Sequence, residues 1–250
     1  MGWELMRRFF FDPTLRDGDI VFLSDEESHH IAKVLRLKTG DVIEILDGLG
    51  AVFRAVITSV GRQVEARIEE IITREATVGK SVWVWQAILK GEKMDTVVQK
   101  CTELGVTGLL PYQSSRCQGK FDQVQGRKKY QRWQRIGLEA CKQCRRLHAI
   151  HIDAPTSYAE SLKKRSDDDG VLRLLFWEEE KTTRLGDIPE IRDAASLALM
   201  LGPEGGFTRE EVELARLSGW RTVSLGDRIL RAETATLSAV AIVQFLAGSL

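Results

Sequence analysis

The sequence predicts an α/β protein: a small β-barrel followed by a larger domain built on a mainly parallel sheet. Three observations predict it. Residues 41–47, 51–60 and 63–71 alternate apolar and polar side chains, as half-buried strands do. From about residue 80 onward, strand-like and helix-like runs alternate, which calls for a parallel sheet with helices on both faces. With 43% hydrophobic residues and 5 prolines in 250 residues, the chain can bury a full core.

Each element has its own signal. Ser24 to Glu27 reads as a capping box and opens a short helix carrying His29, His30 and Val34. Asp47-Gly48-Leu49-Gly50 reads as a turn between two strands. The rhythm changes at residues 72–80, which divides the chain into domains 1–73 and 74–250. In the second domain residues 82–89, 106–111, 149–154, 171–177, 196–201 and 221–225 read as strands. Residues 92–104 place Met94, Val97, Val98, Cys101 and Leu104 at helical spacing and stop at Gly105. Residues 126–146 read as a long basic helix and 156–165 as a short one. A solvated turn is expected at 167–170. Thr208 to Glu211 is a second capping box, opening a helix that stops at Gly219, and residues 233–247 form the last helix.

The formal net charge is zero, with 36 basic and 36 acidic residues. Binding to nucleic acid through bulk charge is thereby excluded. The distribution is uneven: residues 1–115 sum to −3, residues 116–146 to +8 and residues 147–250 to −5. The compact basic stretch can neutralise phosphates or form a solvated helix face. No run is long and apolar enough to span a bilayer, and the first eleven residues make a poor signal peptide. Four cysteines do not make a disulfide framework. A reduced, cytoplasmic protein is expected. Cys141 and Cys144 are a lone pair inside a basic helix, and the adjacent His29 and His30 point about 100° apart, so no metal is expected.

Three strand ends carry unusual chemistry. Leu201-Gly202-Pro203-Glu204-Gly205-Gly206-Phe207 follows a buried strand, and its glycines permit a backbone path that a ligand can touch directly. It is neither a Walker A sequence nor a dinucleotide fingerprint. Ser224-Leu225-Gly226-Asp227-Arg228-Ile229-Leu230-Arg231-Ala232-Glu233 leaves a second strand and enters an apolar helix. Arg231 and Glu233 can serve a ligand or pair with each other to fix the turn. Phe176-Trp177-Glu178 ends a third strand; for Glu179 and Glu180 a solvated loop is the simpler reading.

Together these residues resemble the RsmE-type branch of the SPOUT (trefoil-knot) methyltransferases. The likeness rests on Gly202 to Thr208 and on Leu225 to Arg231 with Glu233-Thr234-Ala235. Arg8 to Phe10, His29-His30, Lys90 to Asp95 and Ser115 to Cys117 also fit. It covers nearly the whole chain. It implies a PUA-like barrel, a knotted methyltransferase domain, S-adenosylmethionine as cofactor, a homodimer, and methylation of N3 of a specific uridine in 16S ribosomal RNA. It places the cofactor against Phe176, Leu201, Gly202, Pro203, Glu204, Gly205, Gly206, Ser224, Leu225, Gly226, Ile229, Leu230, Arg231 and Ala232. Position 232 is Ala where the resemblance leads us to expect Thr. Arg231, Glu233 and Arg8 are the catalytic candidates. Arg7, Arg8, His29, His30 and Arg36 are the RNA-contact candidates of the barrel, and Arg116, Lys120, Arg127, Lys128 and Lys129 those of the basic stretch. A non-catalytic RNA-binding factor and a methyltransferase of another nucleotide stay open beside this reading.

Overall fold

The structure, a computed structural model, describes residues 7–74, 79–118, 123–164 and 170–250. Lys120 and most of the turn expected at 167–170 lie outside the described residues. The chain forms two compact units, Met1–Val78 with Cys141–Ala149, and Gly79–Ala140 with Ile150–Leu250.

In the first unit six strands form one sheet in the order β1-β4-β5-β6-β3-β2. They are β1 (Arg8–Phe10), β2 (Arg16–Asp17), β3 (Ile20–Phe22), β4 (Val42–Leu46), β5 (Ala51–Val60) and β6 (Val64–Arg74). Phe9 from one end of the sheet and Val21 from near the other join one core with Ile43, Ile45, Phe53 and Ile57, so the sheet wraps in barrel fashion. Irregular register between β5 and β6 at Val52/Phe53, Arg54/Ala55 and Ile57/Ser59 supplies the bending this requires.

The short helix α1 (Asp25–His29) begins where expected. Its capping box is half formed. Ser24 Oγ accepts from Glu27 N, but the Glu27 carboxylate instead accepts from Phe10 N at 3.3 Å and from Lys142 Nζ at 2.9 Å. The helix continues as a π-helix, His30–Leu35, and closes on Arg36 in the left-handed region, φ 55° and ψ 38°. Sequence periodicity does not report such a widened turn. The segment 141–149, counted above with the second domain, packs here because Cys141, Leu147 and Ala149 meet Phe10, Leu46 and Val52.

The second unit is an all-parallel sheet in the order β10-β8-β7-β12-β11-β13, with β9 beside β8. Its strands are β7 (Ser81–Ala87), β8 (Gly108–Gln113), β9 (His151–Ile152), β10 (Thr156–Ser157), β11 (Val171–Phe176), β12 (Ser196–Leu201) and β13 (Arg221–Val223). Its helices are α2 (Lys93–Glu103), α3 (Gln123–Cys144, whose end enters the first unit), α4 (Tyr158–Lys163), α5 (Glu190–Asp193), α6 (Arg209–Leu217) and α7 (Ala232–Leu246). Both sheet faces are covered, which explains the nearly unbroken apolar strands. Val82, Val84, Leu197 and Leu199 join Met94, Val98, Trp133 and Val240 on one face. Trp83, Trp85, Ala198 and Met200 join Tyr158, Val212 and Trp220 on the other.

The strands and helices read from sequence recur in the expected order with shifted ends, but β1, β2, β3 and α5 were not foreseen, and the segment read as a helix over 156–165 opens with the two-residue strand β10. The strand expected over 149–154 shrinks to two residues, because only Gly108 and Leu109 offer it a ladder. Among the described residues no helix is long and apolar enough to cross a membrane.

Candidate active site

Three neighbouring strands end side by side. Phe176 closes β11 opposite Leu201 of β12 and Val223 of β13. In a parallel sheet the space beyond such carboxyl ends is where ligands bind. A cavity of about 490 Å³ lies there. All fourteen residues named above as cofactor candidates line it, together with Lys93, Trp177, Glu178, Arg228 and Ala235.

The loop after β12 is held by its carbonyls. Tyr112, fully buried, donates its hydroxyl to Leu201 O at 2.8 Å. Gln86 Nε2 donates to Ala87 O at 3.0 Å and reaches Gly202 O at 3.5 Å. Arg116 donates one guanidinium nitrogen to Gly205 O at 2.9 Å and to Phe207 O at 3.2 Å. Three side chains from outside the loop therefore fix it. At Gly206 the backbone φ is +67°, and a Cβ there would fall on the Glu178 carboxylate. Glycine is required at that position for conformation and for space.

Below the loop a fully formed capping box joins Thr208 and Glu211 and starts α6. Glu211 also accepts from Ser115 N at 2.9 Å, which fastens the Arg116 segment. Glu180, read from sequence as a residue of a solvated loop, is buried instead. Its carboxylate accepts from Thr182 and from Thr222, each at 2.6 Å, and these hydrogen bonds hold it down to about 2.

Arg231 and Glu233 do not pair. Glu233 stands 3.4 Å from Lys93 Nζ, and Lys93 also donates to Glu204 Oε1 at 3.2 Å. Lys90 N donates to the same Glu204 oxygen at 3.1 Å. Burial pushes the Glu204 carboxyl up. Hydrogen bonds from backbone N–H groups and from Lys93 outweigh it and hold the group below the usual carboxylate range. The bond to Glu204 raises Lys93 above the usual lysine value. The Arg231 side chain is exposed and makes no hydrogen bond or ion pair among the described residues.

The RNA-contact candidates fall into two groups. In the first unit Arg7, His29 and Arg36 are exposed, and His30 sets its ring edge-on to Phe9 with centroids 6.1 Å apart. Arg8 is half-buried and bonded through Nε to Glu44 Oε2 at 2.7 Å, its cross-strand neighbour. In the second unit Arg127, Lys128 and Lys129 are exposed near the start of α3. Arg116 is partly committed to the glycine loop.

Sequence reasoning missed Lys93, Gln86, Tyr112 and Thr236. Two of them left a signal. Gln86 interrupts the apolar run of β7 and Thr236 sits in the apolar body of α7; a polar residue in a segment that must be buried needs a partner. Each is the other's, at 2.6 Å.

Comparison with known proteins places the chain in a family. An RNA methyltransferase domain family matches residues 77–244, and an RNA methyltransferase PUA domain family matches residues 23–77. The chain is 34% identical to a ribosomal RNA small subunit methyltransferase E of Synechocystis, over 92% of this chain and 74% of that one. It superposes with a TM-score of 0.80 on a ribosomal RNA small subunit methyltransferase E from Neisseria gonorrhoeae bound to S-adenosylmethionine, at 33% identity and covering 96% and 98% of the two chains. A Legionella pneumophila methyltransferase solved with the same cofactor superposes at 0.85, with 32% identity over 96% and 97%. With a matching domain family over most of its length and relatives of this identity and coverage, the chain belongs to the ribosomal RNA small subunit methyltransferase E family, with a PUA domain ahead of an α/β-knot methyltransferase domain.

Proposed function

We propose that this protein transfers the methyl group of S-adenosylmethionine to N3 of a specific uridine in the 16S RNA of the small ribosomal subunit. It acts in the cytoplasm as a homodimer, with residues 1–73 as the RNA-binding PUA-like domain and 74–250 as the catalytic domain. The observation that carries the reading is the convergence of all fourteen cofactor candidates on one cavity.

The cavity suits such a ligand. Its volume of about 490 Å³ falls in the range of small-molecule sites. The glycine loop leaves backbone groups open to contact. Glu204 Oε2, Glu233 Oε2 and Trp177 Nε1 are buried without a hydrogen-bond partner, so polar atoms await one.

S-adenosylmethionine, when bound, supplies a methyl group made electrophilic by its sulfonium. The protein's part is orientation and proton handling. Leu201 to Gly206 and Ser224 to Ala232 would hold the cofactor, with Phe176 lining the same cavity. Good orientation contributes on the order of 7–11 kcal/mol. Uracil N3 must lose its proton to Glu233, whose Oε2 accepts no hydrogen bond. Glu204 Oε2 is likewise unpartnered, but the hydrogen bonds from Lys90 N and Lys93 to its Oε1 hold this carboxyl below the usual range and make it the weaker base. Negative charge then develops on N3, O2 and O4. The unpartnered guanidinium of Arg231 is free to stabilise it in the transition state. In the first unit Arg7, Arg8, His29, His30 and Arg36 are the groups for the RNA backbone, and in the second unit, separately, the Arg127–Lys129 cluster on α3.

The apolar patch on α7 supports the dimer. Ile242 and Phe245 lie one turn apart and are 42% and 70% exposed, a small apolar face for a second copy to cover.

The test is incubation with labelled S-adenosylmethionine and small subunits that lack the modification. Label in 16S RNA supports the reading. Absence of transfer at every salt concentration, with the cofactor bound in calorimetry, would favour a non-catalytic RNA-binding factor.

A further inference from the structure

Two carboxylates in the cavity wall share one ammonium. Glu204 follows β12, Glu233 stands in the first turn of α7, and Lys93 reaches them from the first turn of α2. Lys93 Nζ is 3.2 Å from Glu204 Oε1 in a hydrogen bond and 3.4 Å from Glu233 Oε2 without hydrogen-bond geometry. The second oxygen of Glu204 and that same Glu233 oxygen are buried and have no donor. The two carboxylates are about one-fifth exposed. The cluster therefore carries a surplus negative charge in the wall of a cavity that stands on other grounds, the strand ends and the glycine loop. The other charged groups lining the cavity are Arg228, Arg231 and Glu178, all exposed, where solvent weakens each charge more than in the half-buried cluster.

We infer that the Lys93–Glu204–Glu233 cluster sets cofactor specificity by charge, favouring a cationic sulfonium ligand over the neutral thioether that remains after methyl transfer. This rests on the cofactor reading given above. The two ligands differ by one methyl group and one positive charge. A half-buried surplus carboxylate stabilises that charge more than it would in open water and gains nothing from the neutral product. The wall thus grips the reactant and releases the product. Because it acts on bound ligands, the cluster governs the ratio of their affinities.

The sign of the effect separates this role from a structural one. Glu204→Gln removes the surplus charge and lowers the preference for S-adenosylmethionine over S-adenosylhomocysteine. Lys93→Met adds to the surplus and raises that preference. A change that merely loosened the loop would weaken both ligands alike and leave the ratio fixed.

Calorimetric titration of the full chain with both ligands, and with an analogue bearing an ammonium in place of the methylsulfonium, tests this. The ratio is expected to fall at least about threefold in Glu204→Gln and to rise by a similar factor in Lys93→Met, shifts that one neighbouring charge readily supplies. Lys93→Arg should restore the unsubstituted ratio, and the ammonium analogue should follow S-adenosylmethionine. Ratios that stay unchanged, or that move the same way in both variants, overturn the inference. If the unsubstituted chain binds none of the three ligands, the cofactor reading itself fails, which is a separate result.

Discussion

Thr236 donates its hydroxyl to Gln86 Oε1 at 2.6 Å, with both side chains fully buried. The bond links α7 to β7, and the amide of Gln86 reaches on to Gly202 O. The first turn of the last helix and the glycine loop after β12 are thereby held by one polar chain. Thr236→Val keeps the shape and leaves Gln86 Oε1 without its donor. An unsatisfied buried acceptor costs about 1–3 kcal/mol. The unfolding free energy is expected to fall by that amount, lowering the denaturation midpoint, and cofactor affinity in calorimetry should drop with it. An unchanged midpoint would mean that this bond adds no net stability.

Gly206→Ala meets two obstacles, a positive φ of +67° and the Glu178 carboxylate. The loop must move for the side chain to fit. We expect cofactor binding to fall more than tenfold, a loss of more than about 1.4 kcal/mol, while the protein stays folded by circular dichroism. The double variant Gly206→Ala with Glu178→Ala relieves the space conflict alone and should recover part of the loss.

Arg231 lines the cavity but is exposed and unpartnered. Its removal should cost chemistry and spare binding. Arg231→Ala is expected to keep cofactor affinity within a few-fold and to lose about 100-fold or more in single-turnover transfer, roughly 2.7 kcal/mol of transition-state stabilisation. Unchanged turnover would remove Arg231 from the mechanism.

Arg116 and the Arg127–Lys129 group should separate by readout. Arg116 braces two loop carbonyls, so Arg116→Ala should weaken the cofactor in the absence of RNA. Lys128→Ala should leave the cofactor unaffected and lower the salt dependence of RNA binding, by a slope of about 0.7 if its phosphate contact is to single-stranded RNA.

How much of this was legible in the sequence differs by feature. The strand–helix order could be read because strands buried on both faces, such as Val82 to Ala87, show as apolar runs and amphipathic helices show as spaced ones. The two cavity loops could be read because glycine and proline in Gly202 to Gly206 have few other uses. What the sequence hid depends on distance in space. Lys93 lies 111 residues from Glu204 and 140 from Glu233, so no local pattern joins them. Arg116 reads as one more charge in a basic stretch until the loop carbonyls are seen beside it. The packing of residues 141–149 with the first unit was hidden for the same reason, since Phe10 and Leu46 draw Cys141 across the sequence.

The central claim is the transfer of a methyl group to uridine N3, and the most direct measurement is mass-spectrometric mapping of 16S RNA after reaction with the purified protein and S-adenosylmethionine. The account predicts a single methylated uridine, with the methyl group on N3, formed about 100-fold or more slowly when Arg231→Ala replaces the unsubstituted chain. A methyl group on a ribose 2′-oxygen, on another base, or nowhere in 16S RNA would contradict it.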